Sequence, residues 1–209
     1  MEYKVELAKE LLRIGAVVLR DTSNLFTWVS GIKSPIYCDN RLTISYPEVR
    51  KLIAKGFANE IEKNGGIDAV VGTATAGIPH AAYTSEILNI PMAYVRSSAK
   101  EHGKQNMIEG YLKKGSNVVV IEDLISTGLS SLKVVKALQD EGMNVIKVLS
   151  IFSYNFESAK EEFIKANVKY ESLTDYDTLL RIAINEGYIS SEQEELLKKW
   201  SKNPKIFTE

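Results

Sequence analysis

Three observations in this sequence predict an α/β fold, a parallel sheet flanked by helices. From about residue 68 onward, short β-branched runs alternate with helix-length amphipathic stretches, the pattern of right-handed β-α-β crossovers. The run Val118-Val-Val-Ile121 is apolar at every position, as expected of a strand buried on both faces. Turns of small residues follow the strands, where such sheets bind ligands.

The elements follow in order. Val5 to Leu19 predicts a first helix, with Val5, Ala8, Leu11, Leu12 and the Gly15/Ala16 turn on one stripe. Phe26 to Arg41 has no helical period and carries Gly31 and Pro35, so it reads as extended segments and turns. Pro47 opens a second helix whose apolar residues Val49, Leu52, Ile53, Phe57 and Ile61 recur at helical spacing, and Asn64-Gly65-Gly66 ends it. Strands are then expected at Asp68–Gly72, Pro91–Arg96, Val118–Ile121, Val145–Phe152 and Tyr170–Leu173. Helices are expected at Gly77–Leu88, Ser130–Asp140 and Glu157–Lys165. Asp177 to Trp200 reads as two short helices flanking Gly187 that cover the core.

Composition sets bounds. The chain has 209 residues, 44% hydrophobic and 25% charged, a balance that supports one sizeable core. A formal charge of −1 offers no general attraction for nucleic acid or an anionic membrane. The single cysteine, Cys38, excludes an intrachain disulfide, fits a reducing compartment and reads as a packed small residue. The sequence has neither a signal-peptide pattern at its start nor an apolar run near the roughly 20 residues needed to span a bilayer. A cytoplasmic protein is expected.

Three loops at carboxyl ends of the expected strands carry the chemistry. In Glu122-Asp-Leu-Ile-Ser-Thr-Gly-Leu-Ser130, two carboxylates precede a turn of small and hydroxyl residues that opens a helix. Backbone amides at such a turn bind anions, while carboxylates accept hydrogen bonds from sugar hydroxyls. The combination describes a pocket for a phosphorylated sugar. Gly72-Thr-Ala-Thr-Ala-Gly77 offers a second amide cradle, with hydroxyls at Thr73 and Thr75. Arg96 to Gly110 is polar up to Met107 and carries Arg96, Lys100, His102 and Lys104, which reads as a basic lid over a polyphosphate. No Lys follows Gly128 as a nucleotide P-loop requires, and no G-x-G-x-x-G is present. No zinc-type ligand spacing or serine nucleophile elbow occurs, and His80 reads as structural. The chemistry suggested is displacement at a sugar carbon bearing a phosphate leaving group, by positioning and electrostatics.

Together these residues resemble the type I phosphoribosyltransferases, in which an acidic pair ends a strand and a T-x-G loop holds the 5-phosphate of phosphoribosyl diphosphate. Within them, Phe26-Thr-Trp-Val-Ser-Gly-Ile-Lys-Ser-Pro-Ile-Tyr-Cys-Asp-Asn-Arg41 is similar to the base-binding hood of the orotate phosphoribosyltransferases. Arg96-x3-Lys100-x-His102-Gly103 is similar to their flexible loop. The resemblance extends over roughly residues 5 to 155. It implies a single phosphoribosyltransferase domain over residues 1–209, with a small N-terminal hood at about 1–45, a core at about 46–175 and C-terminal helices at about 176–209.

The implied activity is Mg2+-dependent transfer of ribose 5-phosphate to orotate, giving orotidine 5'-phosphate and diphosphate, with Mg2+ held mainly by substrate and no direct protein ligand named. On the matching positions, Glu122 and Asp123 would take the ribose hydroxyls. Leu124 and Ile125 would belong to the phosphoribosyl diphosphate site, and Ser126, Thr127, Gly128, Leu129 and Ser130 would grip the 5-phosphate, with Ser126 also near orotate. Thr73, Ala74, Thr75, Ala76 and Gly77 would face the diphosphate. Arg96, Lys100 and His102 would close over it from the neighbouring subunit of a homodimer. Of these, Lys100 would matter most to the chemical step and His102 would donate a proton or hydrogen bond. Phe26 and Lys33 would contribute to the orotate site, with Arg41 a second candidate for the orotate carboxylate. The chain departs from some members at Val29, Ala76 and Ser97, where those carry basic residues.

Two alternatives share the pocket. A purine-using enzyme would need another hood, whereas Phe26, Trp28 and Tyr37 follow the orotate pattern. A non-catalytic sensor would need a nucleic-acid domain or basic face, for which the sequence offers neither length nor charge.

Overall fold

Gly15 sets the limit of the first element. In the computed structural model, which describes residues 2–28, 31–97 and 107–208, α1 spans Glu2–Arg13. Gly15 then takes φ +70°, a left-handed conformation that ends the helix. The expected continuation to Leu19 is therefore corrected. The β-branched Val17 and Val18 belong to a strand, β1 (Val17–Leu19), which pairs antiparallel with β4 (Ile36–Cys38), Val17 facing Cys38. Between them β2 (Phe26–Thr27) and β3 (Lys33–Ser34) form a second small antiparallel pair. The extended, turn-rich reading of this region agrees with that arrangement.

From Pro47 the elements match the expectation closely. Pro47 begins α2 (Pro47–Glu62), where its missing N–H and fixed φ suit a first turn. The later elements are β5 (Ala69–Thr73), α3 (Gly77–Leu88), β6 (Met92–Val95), β7 (Ile108–Glu109), β8 (Asn117–Ile125), α4 (Leu129–Asp140), β9 (Asn144–Ser153), α5 (Glu157–Lys165), β10 (Lys169–Asp175), α6 (Tyr176–Asn185) and α7 (Ser191–Lys202). Ser190 caps α7 reciprocally with Gln193, and Asp175 caps α6 through the Thr178 N–H at 2.9 Å.

Six strands form one sheet in the order β10-β9-β8-β5-β6-β7, parallel except for the β6/β7 pair. The two-residue β7 is too short for any periodicity to announce. Strand order reverses at β5: the chain steps outward to β6, then returns to place β8 on the other side of β5. The loops after β5 and β8 thus flank the switch point where such sheets bind ligands.

Alternation along the central strands feeds two cores. Val70, Val119, Ile121 and Leu149 meet α1, α2, α6, α7 and the small N-terminal strands, while Val71, Val118, Val120 and Val148 meet α4 and α5. A cluster of aromatic rings closes the first core. Trp28 lies 5.0 Å from Tyr154, and Trp200 of α7 lies 5.7 Å from Trp28 and 5.9 Å from Tyr154. The Trp200 indole also donates to the Lys33 carbonyl at 3.1 Å. The C-terminal helices therefore do more than cover the sheet: α7 anchors the return strand of the N-terminal hairpin.

Candidate active site

The strand bearing the acidic pair is longer than the sequence suggested. β8 continues through Glu122 and Asp123 to Ile125 because β9 keeps pairing with it, Glu122 opposite Ser150 and Ile125 opposite Ser153. On the other side, pairing with β5 stops at Gly72 and Ile121. Consecutive residues of a strand point to opposite faces. The two carboxyls nevertheless stay in contact, each side chain within hydrogen-bonding reach of the other. Asp123 borders a cavity of about 550 Å³. Glu122 is buried, and its carboxylate accepts from the Ser131 hydroxyl at 3.0 Å, the Ser130 hydroxyl at 3.2 Å and the Asp123 N–H at 3.2 Å. Burial, and after it the neighbouring Asp123 charge, pushes the Glu122 carboxyl well above its ordinary range. Burial pushes Asp123 up as well.

The turn after β8 leads into α4 through Gly128, at φ +77°. A Cβ there would lie 2.6 Å from the Phe163 ring, so glycine is required twice over. Leu124 and Ser126 line the cavity, Thr127 is half-buried, Ile125 is packed in the core with α4 and α5, and Leu129 and Ser130 are exposed. Across the switch point, Thr73 ends β5 and Gly77 begins α3. A Cβ on Gly77 would sit 2.3 Å from the Ile121 carbonyl oxygen, which holds the start of α3 directly against β8. The Ala74–Thr75 peptide bond between them is cis. Thr75 and Ala76 line the cavity, Ala74 donates its N–H to the Val95 carbonyl at 3.0 Å, and the buried Thr73 hydroxyl has no hydrogen-bond partner among the described residues. Neither α3 nor α4 has a side-chain cap among those residues, so both helix starts present amides that an anion can take.

The wall facing the two cradles comes from the N-terminal strands and the end of β9. Thr27, Trp28, Tyr37, Cys38, Asp39 and Arg41 line it, together with Tyr154. Tyr154 follows the expected end of its strand, and nothing in the local pattern marked it. Phe26 and Lys33 do not line the cavity. Phe26 packs behind Tyr37 at 5.4 Å, under the Arg20 guanidinium at 3.8 Å, while Lys33 is exposed and its backbone N–H donates to the Thr208 hydroxyl at 3.1 Å. Among the described residues, the cation that borders the cavity is Arg41, paired with the Asp39 carboxylate at 2.6 and 2.7 Å. That pairing holds Asp39 below its ordinary range.

Arg96 stands at the end of β6 and does not line the cavity. Its N–H donates to the Met107 carbonyl at 2.9 Å, and its buried Nη1 lies 3.9 Å from the Glu109 carboxylate. Lys100 and His102 lie outside the described residues. His80 is fully buried, as expected of a structural residue, and burial pushes its imidazole down to about 4. It is therefore neutral at physiological pH, with Nε2 3.4 Å from the Thr43 hydroxyl.

Two amide cradles, a carboxylate and an aromatic wall around one cavity suit a phosphorylated sugar beside a flat ring. Comparison with known proteins agrees. Residues 41–177 match the phosphoribosyl transferase domain model. An orotate phosphoribosyltransferase of Listeria innocua is 53% identical over 99% of both chains, and that of Fusobacterium nucleatum is 56% identical over 95% of both. The chain belongs to the orotate phosphoribosyltransferase family. The solved orotate phosphoribosyltransferase of Aeropyrum pernix superposes with a TM-score of 0.76 at 30% identity, covering 88% of this chain and 99% of that one.

Membership in the orotate phosphoribosyltransferase family makes the chain a glycosyltransferase and explains the division of the cavity between two walls. The donor set also has a definite character. Asp123 and the Thr75 and Ser126 hydroxyls offer a few hard oxygens, and no group of three or more His, Cys, Asp or Glu among the described residues is placed to hold a metal ion. Such a set fits Mg2+ that keeps waters and takes most of its ligands from a polyphosphate. No helix among the described residues is long and apolar enough to cross a membrane.

Proposed function

We propose that this chain transfers ribose 5-phosphate from phosphoribosyl diphosphate to orotate, releasing diphosphate and forming orotidine 5'-phosphate for pyrimidine biosynthesis. The observation that carries the reading is the meeting of Asp123, the Ser126 turn and the Thr75 loop with the Trp28, Tyr37 and Tyr154 wall in one cavity. The uncapped start of α4, with the backbone N–H groups of its first turn including that of Ser130, and the hydroxyls of Ser126 and Thr127 take the 5-phosphate. Asp123 accepts hydrogen bonds from the ribose hydroxyls. Glu122, turned into the first turn of α4, fixes Ser130 and Ser131 and so the shape of the phosphate turn. The Thr73–Gly77 loop faces the diphosphate. Orotate lies against the aromatic wall near Ser126, with Arg41 rather than Lys33 beside its carboxylate, because only Arg41 of the two borders the cavity.

Mg2+, when bound, neutralises charge on the diphosphate. Arg96, Lys100 and His102 close over that group, Lys100 stabilising the charge that develops as it leaves. They do so from the neighbouring subunit of a homodimer. Arg96 lies outside the cavity of its own chain, which supports that arrangement. Residues 1–209 act as one phosphoribosyltransferase domain, cytoplasmic in keeping with a single reduced cysteine.

Loss of orotate absorbance with phosphoribosyl diphosphate and Mg2+, beside parallel assays with adenine, hypoxanthine, guanine, xanthine and uracil, tests the substrate. Turnover of another base in place of orotate overturns the reading of the aromatic wall. Binding of phosphoribosyl diphosphate without turnover of any base points to a sensor.

A further inference from the structure

We infer that Asn40 is a positioning residue that locks the base wall of the cavity to its ribose wall. The inference rests on the reading above, in which Asp123 receives the ribose hydroxyls. Asn40 opens the short 3-10 segment Asn40–Ser45 and is fully buried. Its Nδ2 donates to the Asp123 backbone carbonyl at 2.7 Å. That oxygen only accepts, so the amide orientation is fixed. Its Oδ1 accepts from the Cys38 thiol at 3.3 Å, and its backbone carbonyl accepts from the Thr43 hydroxyl at 2.6 Å. The Thr43 hydroxyl in turn touches His80 on α3, the helix that starts at the diphosphate loop.

The location gives these bonds their meaning. Beyond Ile121 the ladder to β5 has ended, and Asp123 lies on a stretch of β8 that pairs with β9 alone. Asn40 supplies this stretch with a hydrogen bond from outside the sheet. Its neighbours Asp39 and Arg41 line the opposite wall, as does Cys38. One side chain thus sets the distance between the residues that meet the base and the carboxylate that meets the sugar. An unpaired carbonyl or a tilted strand at Asp123 would move the carboxylate while the core stays intact.

Asn40→Ala and Asn40→Asp test this, with the dissociation constant of phosphoribosyl diphosphate in the presence of Mg2+ measured by calorimetry on folded protein. Both variants lose the donor, and both are expected to weaken binding about tenfold, the size of one buried hydrogen bond. In Asn40→Asp the ratio to wild type is expected to shrink as pH falls, because a protonated carboxyl regains an O–H donor for the Asp123 carbonyl. A packing role predicts the reverse: the isosteric Asn40→Asp would bind like wild type, and only Asn40→Ala would suffer. That result, or unchanged binding in both, overturns the inference. Should Asn40→Ala not fold, Cys38→Ala frees one end of the amide and is expected to weaken binding about threefold; unchanged binding there counts against the inference. Because the readout is binding, an absence of orotate turnover in wild type would overturn the proposed substrate while the Asn40 comparison still decides its own question.

Discussion

Glu122 is buried with its charge opposed by Asp123, and replacing it by glutamine should make the protein more stable as pH rises. The sign follows from linkage. The folded chain holds the Glu122 proton more tightly than the unfolded chain, where the carboxyl titrates at its ordinary value of 4.5. The stability contributed by the neutral form is therefore complete below that value and is lost as pH climbs toward the folded one. The loss runs at about 1.4 kcal/mol per pH unit within that window. Two units into the window, wild type has given up about 2.7 kcal/mol that Glu122→Gln retains. A glutamine oxygen at the Oε2 position still accepts from Ser131 and Ser130, at 3.0 and 3.2 Å, while the amide nitrogen takes the Oε1 position and the bond from the Asp123 N–H is lost. For a chain of this length the difference corresponds to about 5–10 °C in melting temperature. Thermal melts of both proteins from about pH 5 to about pH 7.5 measure it. A difference between the two that stays constant across the range, or a wild type that gains on the variant as pH rises, would refute the argument that burial dominates at Glu122.

Other expectations are simpler. Gly77→Ala brings a methyl to 2.3 Å from the Ile121 carbonyl, a backbone atom with nowhere to go; a loss of about 3 kcal/mol or more in urea unfolding is expected, and near-wild-type stability would deny the close approach. Trp200→Ala removes a fully buried indole and its bond to the Lys33 carbonyl, for a loss of about 3–5 kcal/mol and weaker orotate binding. Asp123→Asn should raise the phosphoribosyl diphosphate concentration at half-maximal rate about tenfold, since a charged acceptor is lost; an unchanged value leaves Asp123 as a mere strand residue. Lys100→Ala should lower turnover on the order of a hundredfold at saturating substrates, and turnover near wild type removes Lys100 from the chemical step.

What the sequence revealed, it revealed where one physical rule acted alone. Pro47 and the stripe from Val49 to Ile61 announced α2, and the bounds of α3 and α5 agree with their expected residues. Periodicity alone carries the first helix to Leu19, since Val17 and Val18 continue an apolar stripe, although Gly15 turns the backbone before them. Polarity places the end of the strand at the acids, whereas β9 goes on pairing with it to Ile125. On the continuing strand Asp123 borders the cavity while Glu122 is buried against the first turn of α4, the two carboxyls still in contact. The base wall was less legible. Its aromatic character was visible in Trp28 and Tyr37, but Tyr154 comes from a distant strand end, and whether Lys33 or Arg41 meets the cavity depends on how short strands twist. Asn40 carried no signal at all, since its role exists only through an Asp123 carbonyl brought to it by the sheet.

Lys33 is clasped at both its backbone groups. Its N–H goes to the Thr208 hydroxyl and its carbonyl to the Trp200 indole. The hairpin that carries Trp28 is thus fastened at its return strand by residues made far later in synthesis. On the ribosome, the six-stranded sheet can assemble around β5 and β8 while this hairpin still lacks its two clasps. The nascent chain is then expected to acquire its grip on the sugar phosphate before its grip on the base, so that the half of the pocket that chooses the substrate is the last to harden.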